Sequence, residues 1–146
     1  MQILLVEDDP FKQRPIQAAI LEVHPKASIH LARSVQQAVK MLRANAYDRV
    51  VLDIALPSHE SRAGGAQPIS QPSGGIEVLL ELAYDERTDP VVIVTQYPEI
   101  EYNNRFHPLA KARNALMAAI PATIMAVVHF TPQHDGWRDK FKEALA

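Results

Sequence analysis

Ile3-Leu4-Leu5-Val6-Glu7-Asp8-Asp9-Pro10 opens the chain with a short apolar run that ends abruptly in three acids. Four consecutive aliphatic residues suit a strand buried on both faces, as in a parallel sheet, and the acids stand where such a strand ends. About 45 residues on, Val50-Val51-Leu52-Asp53 repeats the pattern with a single acid. If the two strands are parallel neighbours, the carboxylates of Glu7-Asp8-Asp9 and of Asp53 converge on one rim, where open α/β sheets place their ligands. Crowded carboxylates raise one another's pKa unless a hard divalent cation such as Mg2+ neutralises them.

Further short apolar runs alternate with segments of helical period, as expected for a parallel sheet covered by helices. Strands are expected at 3–6, 28–32, 49–54, 90–95 and 123–130. A first helix carries Ile16, Ile20, Leu21 and Val23 on one face, with Pro15 expected to delay or kink its start. Asp9 before Pro10 suits an N-cap, and Ser34 suits the cap of a second helix with Val35, Ala38, Val39 and Leu42 on its buried face. Further helices are expected at 76–84, 109–119 and 136–146, the last with Trp137, Phe141 and Leu145 on one side. Two long rim loops interrupt the plan, at about 57–75 and 96–107. The first is rich in Ser, Gly and Pro, and a disordered tether and a binding loop are equally expected there.

With 146 residues, 47% hydrophobic and 22% charged, the chain is long enough for one domain over 1–146. The net charge of −2 gives no electrostatic case for direct nucleic acid binding or for a membrane surface. The absence of cysteine excludes disulfides and a thiol nucleophile, and fits a reducing cytoplasm. Six histidines lack the cysteines of a zinc finger, and Gly74-Gly75 is too short for a phosphate-cradling loop.

The acidic run, Val50-Val51-Leu52-Asp53-Ile54-Ala55-Leu56-Pro57 and Val92-Ile93-Val94-Thr95 together resemble the receiver domain of two-component response regulators. The resemblance implies a flavodoxin-like doubly wound α/β fold, five parallel strands in the order 2-1-3-4-5 with five helices. It implies that Asp53 is the phosphoacceptor and that Mg2+ is bound by Glu7 through water, by Asp8, by Asp53 and by the backbone carbonyl of Ala55. Thr95 corresponds to the hydroxyl that turns toward the phosphoryl group. Expected partners are a sensor histidine kinase or phosphotransfer protein and a downstream effector protein or output domain, with a homodimer through residues 108–146 also compatible.

One feature of the family pattern is missing. Receivers end the fifth strand with Lys-Pro, whereas this chain reads Val127-Val128-His129-Phe130-Thr131-Pro132. His129 or Thr131 is expected to replace the lysine, with Lys111 and Lys140 as more distant candidates. The leading expectation is a Mg2+-dependent phosphoacceptor that signals through a changed protein-binding surface, with no enzymatic turnover beyond accepting phosphate from a donor. The alternative is a phosphorylation-independent pseudo-receiver. A phosphohydrolase is disfavoured because Ala55 stands where such an enzyme needs a general acid. The chain is expected to be either a stand-alone regulator or the receiver of a longer protein.

Overall fold

The computed structural model describes residues 1–60, 70, 71 and 73–146. The order is β1 (Gln2–Val6), α1 (Pro10–Val23), β2 (Ser28–Ala32), α2 (Val35–Ala44), β3 (Arg49–Leu52), β4 (Leu56–Pro57), β5 (Ser70–Gln71), α3 (Gly74–Tyr84), β6 (Val91–Thr95), β7 (Glu99–Tyr102), β8 (Arg105–Pro108), α4 (Leu109–Ala119), β9 (Ile124–His129) and α5 (Gly136–Leu145). A five-stranded sheet runs β2-β1-β3-β6-β9 with every pairing parallel. Counting only its members in chain order gives the expected 2-1-3-4-5.

Strand alternation divides the core. Leu4, Val6, Val50, Leu52, Val91 and Ile93 face α2, α3 and α4, while Ile3, Leu5, Val51, Val92 and Val94 face α1 and α5. The three inner strands are therefore apolar along their middles, at Ile3 to Val6, Val50 to Leu52 and Val91 to Val94, because both their faces are covered, and polar residues occur only at their ends. Trp137, Phe141 and Leu145 seal α5 onto the second face, as their spacing anticipates.

Ser34 caps α2 through its hydroxyl, which accepts from the Gln37 N–H at 3.1 Å. Asp9 caps α1 by accepting from the Phe11 N–H at 2.9 Å, and the helix begins at Pro10. Pro15 thus lies inside α1 and does not delay it. The carbonyl it cannot reach belongs to Phe11, which is exposed, so water can take that acceptor.

The expected 96–107 loop is corrected. Most of it is an antiparallel hairpin in which Glu99 faces Pro108 and Tyr102 faces Arg105. Asn103 and Asn104 form its two-residue turn with φ of 55° and 61°, a left-handed geometry that asparagine tolerates. Ile100 is buried and anchors the hairpin to the core. In the 57–75 segment, β4 pairs antiparallel with β5. The expectations for 61–69 and 72 lie outside the described residues.

Candidate functional site

Parallel pairing places Val6 beside Leu52, so Glu7 and Asp53 leave adjacent strands at the same rim. The Asp53 N–H donates to the Val6 carbonyl at 3.0 Å, which fixes this register one residue past the last strand pair. Glu7, Asp8 and Asp53 each offer a carboxylate oxygen, and these oxygens lie within 4.8 Å of one another. Asp53 Oδ1 also accepts from the Ala55 N–H at 3.3 Å. A cavity of about 160 Å³ lies over the cluster, lined by Glu7, Asp8, Asp9, Lys12, Asp53, Ala55, Gln96 and Tyr97.

The start of α3 presses on the back of this loop. The Gly75 N–H donates to the Ile54 carbonyl at 2.7 Å, and a Cβ at Gly75 would stand 2.4 Å from the Asp53 carbonyl oxygen. Only glycine permits that approach, so Gly75 sets the backbone position of Asp53.

Lys12 is the residue that sequence reasoning missed. It is only 3% exposed, and its Nζ lies 2.9 Å from Glu7 Oε1 and 3.2 Å from Asp53 Oδ2. The same ammonium donates to the Val94 carbonyl at 3.4 Å and sits 5.7 Å from the centre of the Phe130 ring. A signal for it was present. Lys12, Ile16 and Ile20 recur every four residues, so the helical period of α1 puts a charge on the buried stripe, where it must find a partner.

The expected replacements lie elsewhere. His129 is exposed, and its Nε2 donates to the Gln96 carbonyl at 3.0 Å. Thr131 meets His134 Nδ1 at 3.4 Å. Neither lines the acidic cavity, and Lys111 and Lys140 are exposed on α4 and α5. Thr95 is fully buried at the end of β6. Its Oγ1 accepts from the Tyr97 N–H at 3.2 Å, and it borders a neighbouring cavity of about 290 Å³ with Tyr97, Glu99 and Phe106.

Burial, and then the neighbouring Asp53, push the Glu7 carboxyl up to about 8 against the opposing pull of Lys12. Burial likewise raises Asp8. Burial alone would lower the Lys12 ammonium, but the carboxylates of Asp53 and Glu7 outweigh it and hold it above its usual value. The site is therefore short of positive charge even with Lys12 in place. Glu7 Oε1 is buried and has the Lys12 ammonium beside it as an ion pair, but accepts no hydrogen bond. An all-oxygen donor set, an unsatisfied buried carboxylate oxygen and a cavity in front of it fit a hard divalent cation.

The sequence model of the response regulator receiver domain matches residues 3–114. The chain belongs to this family. It is 39% identical over 112 residues to the Detocs response regulatory protein DtcB of Vibrio alginolyticus, covering 75% of each chain. Receivers of known structure share its fold. The receiver domain of a sensor histidine kinase from Pseudomonas aeruginosa PAO1, with magnesium in its active-site cleft, superposes with a TM-score of 0.60 at 22% identity, covering 99% of this chain and 93% of that one. The response regulator TrrA of Thermotoga maritima, in complex with Mg2+ and BeF, gives 0.61 at 21% identity, covering 98% and 97%. Receiver domains are in general signalling modules that engage histidine kinases or phosphotransfer proteins and effectors. Among the described residues no helix is long and apolar enough to cross a membrane.

Proposed function

We propose that this receiver accepts a phosphoryl group on Asp53 in a Mg2+-dependent reaction and signals by altering a protein-binding surface over residues 108–146. The observation that carries the reading is the convergence of Glu7, Asp8 and Asp53 around one cavity with an unsatisfied buried oxygen. Asp8, Asp53, the Ala55 carbonyl and, through water, Glu7 would hold the ion, whose chemistry is to neutralise charge on the incoming phosphoryl oxygens. Asp53 is the nucleophile, and the cavity above it admits the donor.

Thr95 supplies the conformational step. Its hydroxyl accepts from the Tyr97 N–H. Turning that hydroxyl toward the phosphoryl group releases Tyr97, which leads directly into the β7–β8 hairpin. Pro108 ends β8 and caps α4, so displacement of the hairpin is passed to the α4–β9–α5 face. A sensor kinase or phosphotransfer protein supplies the phosphoryl group, and an effector reads the surface.

Intact mass after incubation with Mg2+ and a small acyl phosphate tests the reading. The parent should gain one phosphoryl group, and Asp53→Asn should gain none. A parent that stays unmodified at long times, with a working control receiver, would instead assign the chain to the phosphorylation-independent binding modules.

A further inference from the structure

We infer that Lys12, on the first turn of α1, is the cation that pairs with the phosphoryl group, a task the residues at the end of β9 do not perform. The inference rests on Asp53 being the phosphoacceptor. Its own ground is geometric: Nζ already touches Asp53 Oδ2 at 3.2 Å, and Lys12 is the one lysine or arginine among the described residues lining the acidic cavity.

Position and chemistry agree. The ammonium approaches from the α1 side, backed by Phe130 at 5.7 Å and tethered to the Val94 carbonyl at 3.4 Å. It bridges Asp53 and Glu7, so it lies between the nucleophile and the outer acid and does not merely cap one of them. Its flexible four-carbon stem lets the charge follow the Asp53 oxygen as that oxygen gains a substituent. His129 and Thr131 are engaged elsewhere, His129 with the Gln96 carbonyl after β6 and Thr131 with His134.

In the transfer, an Asp53 carboxylate oxygen forms a bond to phosphorus. The bond from phosphorus to the donor's carboxylate oxygen breaks, and its electron pair leaves with that carboxylate. No proton moves and nothing is oxidised or reduced. The phosphoryl oxygens bring about two negative charges to a rim that already holds three carboxylates. Lys12 answers part of that charge in the transition state and in the acyl phosphate, so it acts on the rate of transfer and on the adduct's lifetime.

The experiment compares the parent with Lys12→Met at saturating Mg2+ and acyl phosphate, following adduct formation by intact mass and Mg2+ affinity by calorimetry. The variant should bind Mg2+ more tightly, since a competing cation is gone, yet form the adduct roughly 30-fold more slowly. If Lys12→Met does not fold, Lys12→Gln, which keeps a polar end against the acids, is measured in the same way. The chain has no cysteine, so Lys12→Cys can be alkylated in denaturant with 2-bromoethylamine and refolded. That places an ammonium back at the same reach, and the rate should recover. Equal rates in parent and folded variant would overturn the role of Lys12 while leaving Asp53 as phosphoacceptor. An unmodified parent would overturn both.

Discussion

Glu7 and Asp89 are both buried carboxylates beside the ends of inner strands, at opposite rims of the same sheet, and their surroundings treat them in opposite ways. Asp89 precedes β6 and is fully engaged. Arg87 Nε donates to Oδ1 at 2.9 Å and its terminal nitrogen to Oδ2 at 2.7 Å, while the Tyr47 N–H donates to Oδ2 at 2.8 Å. Burial pushes Asp89 up, but the Arg87 hydrogen bonds and the Tyr47 N–H outweigh it and hold the carboxyl below the usual carboxylate range. Glu7 at the other rim shares one ammonium with Asp53 and is pushed up to about 8. A carboxylate that serves the scaffold is satisfied within the protein, whereas one that serves chemistry is left wanting a ligand. The difference supports the proposal that the rim of Glu7 and Asp53 is the working one.

Three outcomes would break or sharpen that contrast. The largest is expected at the satisfied rim. Asp89→Ala leaves the Tyr47 N–H and a partly buried guanidinium without their acceptor, and should cost about 3 kcal/mol in denaturant unfolding. A loss below about 0.5 kcal/mol would show that this corner is not holding the β3 and β6 entries together. Its pH signature follows from a depressed folded pKa. The contribution is complete above the unfolded value of about 3.9 and is lost as pH falls through the folded value.

The unsatisfied rim should slope the other way. Glu7 holds its proton up to about 8 in the folded, metal-free protein, whereas the unfolded chain releases it near 4.3. Stability should therefore be fully present below the unfolded value and decline as pH rises toward 8. Melting temperatures in chelator should fall by several degrees from pH 5 to 8 in the parent and stay nearly level in Glu7→Gln. A parent whose melting temperature does not fall over that range would mean Glu7 is already compensated. The smallest effect belongs to His129→Ala, on an exposed ring whose bond is to the Gln96 carbonyl and not to the acids. Stability should change by less than about 0.5 kcal/mol, with the phosphorylation rate unchanged. A rate loss comparable to that of Lys12→Met would return the cation's role to β9.

Much of this was legible in the sequence, for a physical reason. Strands buried on both faces read as unbroken aliphatic runs, so Ile3 to Val6, Val50 to Leu52 and Val91 to Val94 announce a parallel sheet, and the acids mark its rim. Family resemblance supplied the roles proposed for Asp53 and Thr95. It also drew attention to the end of β9 as the place to seek a cation, because the family keeps its lysine there. Lys12 was passed over, although Ile16 and Ile20 already defined the stripe it lies on. The hairpin was hidden differently. Asn103-Asn104 is a recognisable turn, but β7 and β8 are short and largely exposed, so they carry little of the alternating burial that marks a strand.

The position of Lys12 also bears on the order in which the molecule assembles. Where the counter-ion comes from the last strand, the acids of the first strand stay unneutralised until nearly the whole chain has been threaded into place. Here the ammonium lies on the first turn of the helix that follows those acids, so closing the contact requires only a very short loop and little entropy. The opening β1–α1 unit thus carries its own neutralising charge, and Asp53 joins it when β3 docks alongside β1.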